Sequence, residues 1–370
     1  MRSLDGVRVL DLTEGAQGPF AASLLADLGA EVVKIERPSG ELMRNIGPFR
    51  NGLALPMLSI ARGRYASLAL DLKQEAGRAT VMRLVACADL IIQNWKPGTD
   101  ARLGLAFEQV REHNPRIVYV QASGYGTAGP LGEMGAMDSL AQAVSGLSAL
   151  SGDPAGPGER TRTPVLDFVS AFVAAEAALI GLTARRKHGQ AVHIETSQLS
   201  AALDASAPEI ATAALQRVAP AGREGRYLPF AEWLLCADGL YVSMECRDRA
   251  DLSRLFELFD VAAYSGDVAP LRKKMAELQS GDVVRRARAE GFDAQIVERR
   301  FSADLFSGYP GTVSTQHHDV AGAFPQPESP FLMSVTAPQA GAPLGPIGKD
   351  NALIECLIER WSGATGPAQF

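Results

Sequence analysis

Short β-branched runs alternate with helical patterns along the first half of the chain, and this alternation restricts the fold more than any other feature. Residues 7–11 and 31–36 are predicted strands, and residues 19–28 between them carry apolar side chains at helical spacing. Pro19 suits the first turn of a helix and Gly29 suits its end. The segment therefore predicts a βαβ unit.

Strand and helix keep alternating downstream of this unit. We predict strands over 67–72, 89–93 and 116–121, and helices over 75–86 and 107–112. Such alternation favours an α/β fold with helices on both faces of a mostly parallel sheet. Because ligands of such sheets bind at the carboxyl ends of the strands, the loops after the strands are the candidate site.

The domain organisation follows from the length of the chain and from changes of pattern. At 370 residues the chain exceeds what one hydrophobic core usually serves. A stretch rich in Gly, Pro and Ser over 146–164 leads into a long predicted helix that begins near Asp167. We expect residues 1–220 to form the N-terminal part of a large domain, 221–320 a smaller α+β domain, and 321–370 a segment that returns to the large domain.

Composition and charge argue against several classes of protein. The formal net charge of -6 leaves no basic excess to hold a nucleic-acid backbone. Asp5 and Asp11 interrupt the stretch that a signal peptide would need, and no apolar run reaches about 18 residues. We therefore expect a cytoplasmic protein that has neither nucleic acid nor a membrane as a partner.

Metal binding and disulfide bonding are not expected either. The four cysteines are scattered, without a CxxC pair or a nearby histidine at zinc-ligand spacing. His317, His318 and Asp319 are adjacent, but in a region rich in Gly, Pro and Ser this group is typical of a solvated loop. We predict reduced thiols and no metal site.

A glycine-rich segment follows the strand predicted at 116–121. Residues 124–129 have the spacing GxGxxG, which opens a helix in dinucleotide-binding folds. Here Pro130 follows at once, and no acidic residue ends a next strand about 20 residues later. The segment therefore does not predict a nicotinamide cofactor, although a glycine-rich loop suits close approach of the backbone to a ligand.

Asp167 has two interpretations from its position alone. It precedes an apolar helix, and Asp is a favoured N-cap residue. If its carboxylate faces a cleft instead, the positive end of the helix would help to keep it ionised and nucleophilic. The two roles are compatible, and the pattern leaves both open.

Several long segments together resemble one known family. In chain order they are LDGVRVLDL, GPFAASLLADLGAEVVKIERP, SLALDLK, ADLIIQNWKPGTDARLGL and NPRIVYVQASGYGTAGP, followed by the segment around Asp167. They are similar in order and spacing to the family III CoA-transferases, which include formyl-CoA and carnitine or bile-acid CoA-transferases and also the α-methylacyl-CoA racemases. The resemblance is strong over residues 4–200 and faint beyond residue 220.

The resemblance implies a Rossmann-like large domain built from both chain ends, a smaller inserted α+β domain and an interlocked homodimer. It also implies exchange of coenzyme A between an acyl-CoA thioester and a free carboxylic acid. In that chemistry an aspartate attacks the donor thioester to give a mixed anhydride, which the released CoA converts to an aspartyl-CoA thioester. The acceptor acid then runs these steps in reverse.

The resemblance assigns residues to this chemistry. It implies Asp167 as the nucleophile and Asp138 as an acidic helper. We expect amides of the glycine loop, that of Gly126 among them, to stabilise the oxyanions. Seven further positions match residues that bind CoA, namely Gln17, Arg37, Leu72, Lys73, Asn94, Arg102 and Gly124.

Two other functions stay open from the sequence. Racemisation needs an acid and a base beside the α-carbon, and racemases of this family place a histidine before the acidic residue that matches Asp138. Met137 occupies that position here. The second alternative is a chain that binds CoA without catalysis, because some family motifs are altered: the usual Ala-Gly-Pro near the first strand is Gln17-Gly18-Pro19.

Overall fold

The computed structural model describes residues 2–63, 65–151, 156, 158–216, 230–299 and 311–363. In this part of the chain the strands are β1 (Arg8–Asp11), β2 (Glu31–Glu36), β3 (Phe49–Arg50), β4 (Leu53–Ala54), β5 (Tyr65–Ala69), β6 (Leu90–Gln93), β7 (Val118–Ser123), β8 (Val192–Ser197), β9 (Phe230–Leu235), β10 (Tyr241–Cys246), β11 (Ala294–Ile296), β12 (Val313–His318) and β13 (Gly322–Pro327).

The helices of the described residues connect and cover these strands. They are α1 (Gln17–Asp27), α2 (Met57–Ile60), α3 (Glu75–Val85), α4 (Thr99–Leu103), α5 (Phe107–His113), α6 (Asp138–Val144), α7 (Val165–His188), α8 (Gln198–Ala205), α9 (Ala207–Gln216), α10 (Arg249–Leu258), α11 (Ala269–Met275), α12 (Ser280–Ala289) and α13 (Ile354–Gly363). Short 3₁₀ helices lie at Leu42–Asn45, Leu147–Leu150 and Asn351–Leu353.

The chain divides into two compact units. Unit 1 comprises residues 1–216 and 306–370, so it includes both ends of the chain, and unit 2 comprises residues 217–305. The predicted boundary at 220/221 lies outside the described residues, and the one at 320/321 lies in the turn between β12 and β13. The predicted domain boundaries stay predictions, as does the interlocked dimer.

A parallel sheet of six strands forms the centre of unit 1. Its order is β5-β2-β1-β6-β7-β8, and every neighbouring pair of strands is parallel. The predicted α/β class with a central parallel sheet is therefore confirmed. From β1 the chain adds strands toward one edge, and from β6 it adds strands toward the other. The loops after β1 and β6 consequently diverge and leave a crevice, which is the usual ligand site of such a sheet.

The strands of this sheet are apolar on both faces because helices cover both. Val9 and Val32 pack with α1 and α7 on one face, and their neighbours Leu10 and Val33 pack with α3, α5 and α13 on the other. Side chains alternate between the faces of a strand, so a doubly covered sheet needs continuous apolar runs rather than alternating ones. The β-branched runs of the sequence meet this need.

The long helix α7 lies close against the sheet because its buried face consists of small residues. Ala171, Ala174 and Ala178 belong to the core that it shares with α1. At Gly181 a Cβ atom would lie 2.4 Å from Cγ1 of Val118 in β7, so only glycine fits. By length and composition α7 would also suit a membrane span, but half of its most apolar window is buried within the protein, as in a core helix.

Unit 2 has its own small core. An antiparallel sheet of order β11-β10-β9 packs with α10, α11 and α12 through apolar side chains such as Phe230, Val242, Leu255 and Val283. Strands and helices therefore occur together in this unit.

The C-terminal helix α13 contributes to the stability of unit 1 through Trp361. Trp361 is 1% exposed and packs in the core formed by α3, α5 and the sheet. We expect Trp361→Ala to lower the free energy of unfolding by about 3–5 kcal/mol, because the substitution leaves a large cavity. Chemical denaturation measures this loss. Glu359→Ala, at an exposed position of the same helix, is the control and should change stability by less than about 0.5 kcal/mol.

Candidate active site

A cavity of 1420 Å³ opens in unit 1 at the carboxyl ends of the parallel strands. Its wall is formed by residues that follow β1, β2, β5 and β6 and by the starts of α1, α6, α7 and α8. It therefore occupies the crevice that the strand order creates between β1 and β6.

A buried ion pair fixes one wall of this cavity. Lys34 Nζ lies 3.1 Å from Asp11 Oδ1 and donates to the Thr13 carbonyl oxygen at 2.5 Å, and both charged side chains are fully buried. The Thr13 amide also donates to Asp11 Oδ1 at 2.9 Å. These bonds hold the loop after β1 in place, and the next residues, Glu14 and Gly15, line the cavity.

Asp167 lines the cavity from the first turn of α7. It is the third residue of that helix, and the N-cap position belongs to Pro164, which has no capping side chain. The interpretation of Asp167 as the N-cap is therefore wrong. Its carboxylate is partly buried and lines the cavity at the positive end of the helix.

Asp138 satisfies the amides that start α7. Its Oδ1 accepts from the amides of Leu166 at 2.7 Å and of Asp167 at 3.2 Å, and its Oδ2 accepts from Gln142 Nε2 at 2.6 Å. The first amides of a helix have no partner within the helix, so this carboxylate serves as a cap from a different element, α6. Asp138 lines the cavity but is only 8% exposed.

Gln198 contacts the Asp167 side chain from another helix, α8. It is the first residue of α8, it is 4% exposed, and its Nε2 donates to Asp167 Oδ1. The start of α8 is fixed by Ser197, which accepts from the amide of Ser200 at 3.0 Å. Sequence reasoning missed Gln198, because its contact with Asp167 joins residues 31 positions apart in the chain.

The environment of Asp167 makes its carboxylate harder to ionise. The pKa of Asp167 is raised to about 6, mainly by burial and in addition by the nearby charge of Asp138, while the hydrogen bond from Gln198 acts in the opposite direction. The group is therefore largely ionised at neutral pH but more basic than an ordinary aspartate.

The cavity brings together most of the residues that the sequence assigned to the site. Asp167 and Asp138 line it with the predicted CoA-contacting residues Gln17, Arg37, Leu72, Lys73, Asn94 and Gly124. Arg102 does not line the cavity; its Nη2 donates to the hydroxyl of Thr99, which does. Gly126 does not line it either.

Two of these residues are engaged with Glu14. Arg37 forms an ion pair with it, with Nε 3.1 Å from Oε1. Asn94 accepts from the Glu14 amide at 2.8 Å and donates to the Glu14 carbonyl oxygen at 2.7 Å. Asn94 thus shapes the wall through the backbone, and the charge of Arg37 is partly compensated within the protein.

The glycine loop after β7 does not present to the cavity the free amide donor that the sequence predicted. The amide of Gly126 donates to Ser123 Oγ at 2.9 Å, so this donor is already occupied. Gly124 has a packing role, because a Cβ atom there would lie 2.1 Å from Cβ of Ala136, another lining residue. The predicted oxyanion role of Gly126 has no support in this geometry.

Three cationic side chains that the sequence analysis did not assign to the site also line the cavity. They are Lys96, Arg160 and Arg162, the last two in the segment that leads into α7. Among the described residues, none of these three or Lys73 forms an ion pair with an acidic side chain. The same part of the chain contains no group of three His, Cys, Asp or Glu side chains that could hold a metal ion.

Comparison with known proteins identifies the family. The sequence model of CoA-transferase family III matches residues 4–304, which is more than half of the chain. The chain belongs to CoA-transferase family III. This confirms the resemblance seen in the sequence motifs.

Curated relatives of this family III chain match it over part of their length. Acetyl-CoA:oxalate CoA-transferase of Acetobacter aceti is 36% identical over 201 residues, which cover 54% of the chain and 51% of that protein. Succinyl-CoA:glutarate CoA-transferase of Mus musculus is 37% identical over 202 residues, which cover 54% of the chain and 46% of that protein. The chain thus spans about half the length of the curated relatives it matches.

Solved structures share the fold of this family III chain. A CAIB/BAIF family protein from Brucella suis superposes with a TM-score of 0.83 at 24% identity, covering 96% of the chain and 99% of that protein. A hypothetical protein from Mycobacterium tuberculosis gives a TM-score of 0.81 at 24% identity, with the same coverage. At this identity the likeness supports the fold alone.

The raised pKa of Asp167 makes the stability of this family III protein depend on pH. The ordinary pKa is 3.8 and the folded value is about 6, so between about pH 4 and pH 6 the folded state holds a proton that the unfolded state has lost. Stability falls across this range and stays at the lower value above pH 6. We expect Asp167→Asn to be more stable than the wild type above pH 6, by at most about 3 kcal/mol. The advantage should disappear below pH 4, where Asp167 is neutral in both states. Denaturation at pH 4 and pH 8 measures it, and an equal difference at both pH values would contradict this account.

Proposed function

We propose that this protein is an acyl-CoA:carboxylate CoA-transferase in which Asp167 is the nucleophile. The observation that carries the proposal is the position of Asp167: a partly buried carboxylate on the wall of a large cavity, in the first turn of a helix. With a pKa of about 6 it is ionised at neutral pH and yet more basic than an ordinary carboxylate, which favours nucleophilic attack. The membership of the chain in CoA-transferase family III agrees with this chemistry.

The reaction begins when Asp167 attacks the acyl carbon of the donor thioester. The C–S bond breaks, CoA leaves as a thiolate, and the acyl group forms a mixed anhydride with the side chain of Asp167. The free oxygen for this attack is Oδ2, because Oδ1 accepts from Gln198 and no hydrogen bond to Oδ2 occurs among the described residues.

The exchange is completed through a second covalent intermediate. The CoA thiolate attacks Cγ of Asp167, the donor acid leaves, and an aspartyl-CoA thioester remains. The acceptor carboxylate then attacks Cγ, the Cγ–S bond breaks, and a second mixed anhydride forms. The released thiolate attacks the acyl carbon of the acceptor in this anhydride, and the carboxylate of Asp167 leaves, which restores the free enzyme. Each thioester replaces another of similar energy, so the exchange needs no separate source of activation.

The cations of the cavity are suited to the phosphates of CoA. Lys73, Lys96, Arg160 and Arg162 line the wall and form no ion pairs with acidic side chains in the described part of the chain. Guanidinium and ammonium groups form strong charge-assisted hydrogen bonds with phosphate. An acidic protein can therefore hold an anionic substrate through local charge.

The racemase alternative is less compatible with the cavity. Racemisation at an α-carbon calls for an imidazole or another base beside the acid. Among the described lining residues there is no histidine, and Met137, at the position before Asp138, is a solvent-exposed side chain of the wall. This composition favours the transferase.

Substitution of Asp167 tests the proposal. We expect Asp167→Ala to lower the exchange rate by about 10⁴-fold or more, because the covalent route is lost. The assay supplies a panel of acyl-CoA donors with carboxylate acceptors and weighs the products. The wild type incubated with donor alone should also form a covalent CoA adduct that hydroxylamine removes.

Asp204→Ala is the matched control, because Asp204 is an exposed carboxylate of α8 outside the cavity wall. It should retain wild-type exchange. Near-wild-type exchange by Asp167→Ala would contradict the proposal. A wild type that binds CoA but forms no adduct with any donor would favour the non-catalytic alternative.

Lys73 tests the binding of the CoA phosphates. A charge-assisted hydrogen bond contributes about 1.5–3 kcal/mol, so we expect Lys73→Ala to raise the KM for acyl-CoA at least about tenfold with little change in kcat. Lys187→Ala, an exposed lysine near the end of α7 and outside the wall, should leave KM unchanged. Equal KM values for both variants would show that Lys73 does not contact the substrate.

A further inference from the structure

Gln198 contacts an oxygen atom that changes its charge during the proposed reaction. Its Nε2 donates to Asp167 Oδ1, and its side chain is nearly inaccessible to solvent. Both residues line the cavity. The hydrogen bond is therefore part of the reacting centre rather than of the protein surface.

The orientation of the Gln198 amide is determined by its partner. An ionised carboxylate only accepts hydrogen bonds, so the NH₂ group and not the carbonyl oxygen must face it. The backbone is equally constrained: the amide of Leu199 donates to the carbonyl oxygen of Gly124 at 3.0 Å, which ties the start of α8 to the end of β7. The donor is thus held in place before the reaction begins.

The expected oxyanion donor is not available in this site. The amide of Gly126 donates to Ser123 Oγ, and Gly126 lies outside the cavity wall. Both carboxylate oxygens of Asp138 are occupied by the amides of Leu166 and Asp167 and by Gln142. A carboxylate would in any case repel an oxyanion.

We propose that Gln198 is a catalytic residue that stabilises the oxyanion formed on Oδ1 of Asp167 whenever Cγ of Asp167 is attacked. This inference rests on the proposed function. In the anhydride, Oδ2 bridges Cγ and the donor acyl group, and Oδ1 is the carbonyl oxygen that Gln198 contacts.

The negative charge on Oδ1 forms when the CoA thiolate attacks the anhydride at Cγ. A Cγ–S bond forms, and the carbonyl electron pair moves to Oδ1. The pair then returns to re-form the carbonyl, the Cγ–Oδ2 bond breaks, and Oδ2 leaves within the donor carboxylate. Attack of the acceptor carboxylate on the aspartyl-CoA thioester places the same charge on Oδ1, and there the Cγ–S bond breaks. Gln198 therefore serves both steps at Cγ.

Gln198→Leu tests this role, because leucine fills a similar volume without the donor. Loss of one oxyanion donor costs about 10²–10³-fold in rate. With acetyl-CoA or succinyl-CoA as the only substrate, we expect the aspartyl-CoA adduct to form about 10²–10³-fold more slowly, as measured by rapid-quench mass spectrometry. The KM for acyl-CoA should change little.

The pH profile separates a catalytic from a structural role. The hydrogen bond from Gln198 favours the ionised form of Asp167, so in Gln198→Leu the fall of kcat/KM at low pH should begin at a higher pH than in the wild type. A carbon-13 NMR titration of the Asp167 carboxyl should show the same upward displacement without any turnover. Gln198→Met, which also lacks the donor, should reproduce both effects if leucine impairs folding.

Ser200→Ala is the matched control. It removes a hydroxyl from the start of α8, where Ser200 Oγ donates to the Ser197 carbonyl oxygen at 2.9 Å, but leaves Gln198 in place. It should keep adduct formation within about twofold of the wild type. Wild-type adduct formation in both Gln198 variants would overturn this inference alone, whereas a wild type without exchange or adduct would overturn the proposed function and this inference together.

Discussion

The capping of α7 by Asp138 is the interaction on which the site depends. Two carboxylates, those of Asp138 and Asp167, lie at the same helix end, and the backbone amides of the first turn satisfy only the first. Asp138 is thereby fixed as an acceptor, and its charge disfavours ionisation of Asp167. The second carboxylate is left on the cavity wall with one hydrogen bond from the described residues, that from Gln198. One helix end thus contains both a structural acid and the acid that we propose to be reactive.

The position of this helix end follows from the sheet. The strand order places a crevice between β1 and β6, and α7 runs antiparallel to the neighbouring strands so that its first turn reaches their carboxyl ends. The small residues of α7 allow the close packing that sets this position. On the other side of the crevice, the buried pair of Asp11 and Lys34 fixes the loop after β1. Such a pair gains little net stability, because both charges lose their hydration, so its contribution here is to define the loop conformation.

Much of the large sheet could be predicted from sequence because its strands are buried on both faces. The strand predicted at 31–36 is β2 (Glu31–Glu36), and the helix predicted at 75–86 is α3 (Glu75–Val85). Short elements without a distinctive period could not be predicted in the same way: α6 (Asp138–Val144) and the β3–β4 hairpin were not anticipated. Their local patterns are too short to separate a helix or strand from a loop.

The site could be predicted only where a motif marked the residue. Asp167 and the wall residue Lys73 followed from the family resemblance, whereas Gln198 depends on a contact between residues 31 positions apart, which no local pattern encodes. The glycine loop shows the converse. Its spacing suggested a free amide at Gly126, but a turn of the same loop brings Ser123 Oγ to that amide. In the proposed mechanism a side-chain amide takes the role that the backbone does not. There Asp167 supplies both the attacking oxygen and the carbonyl that is later attacked, so a donor fixed on Oδ1 would separate the two tasks between its two oxygens.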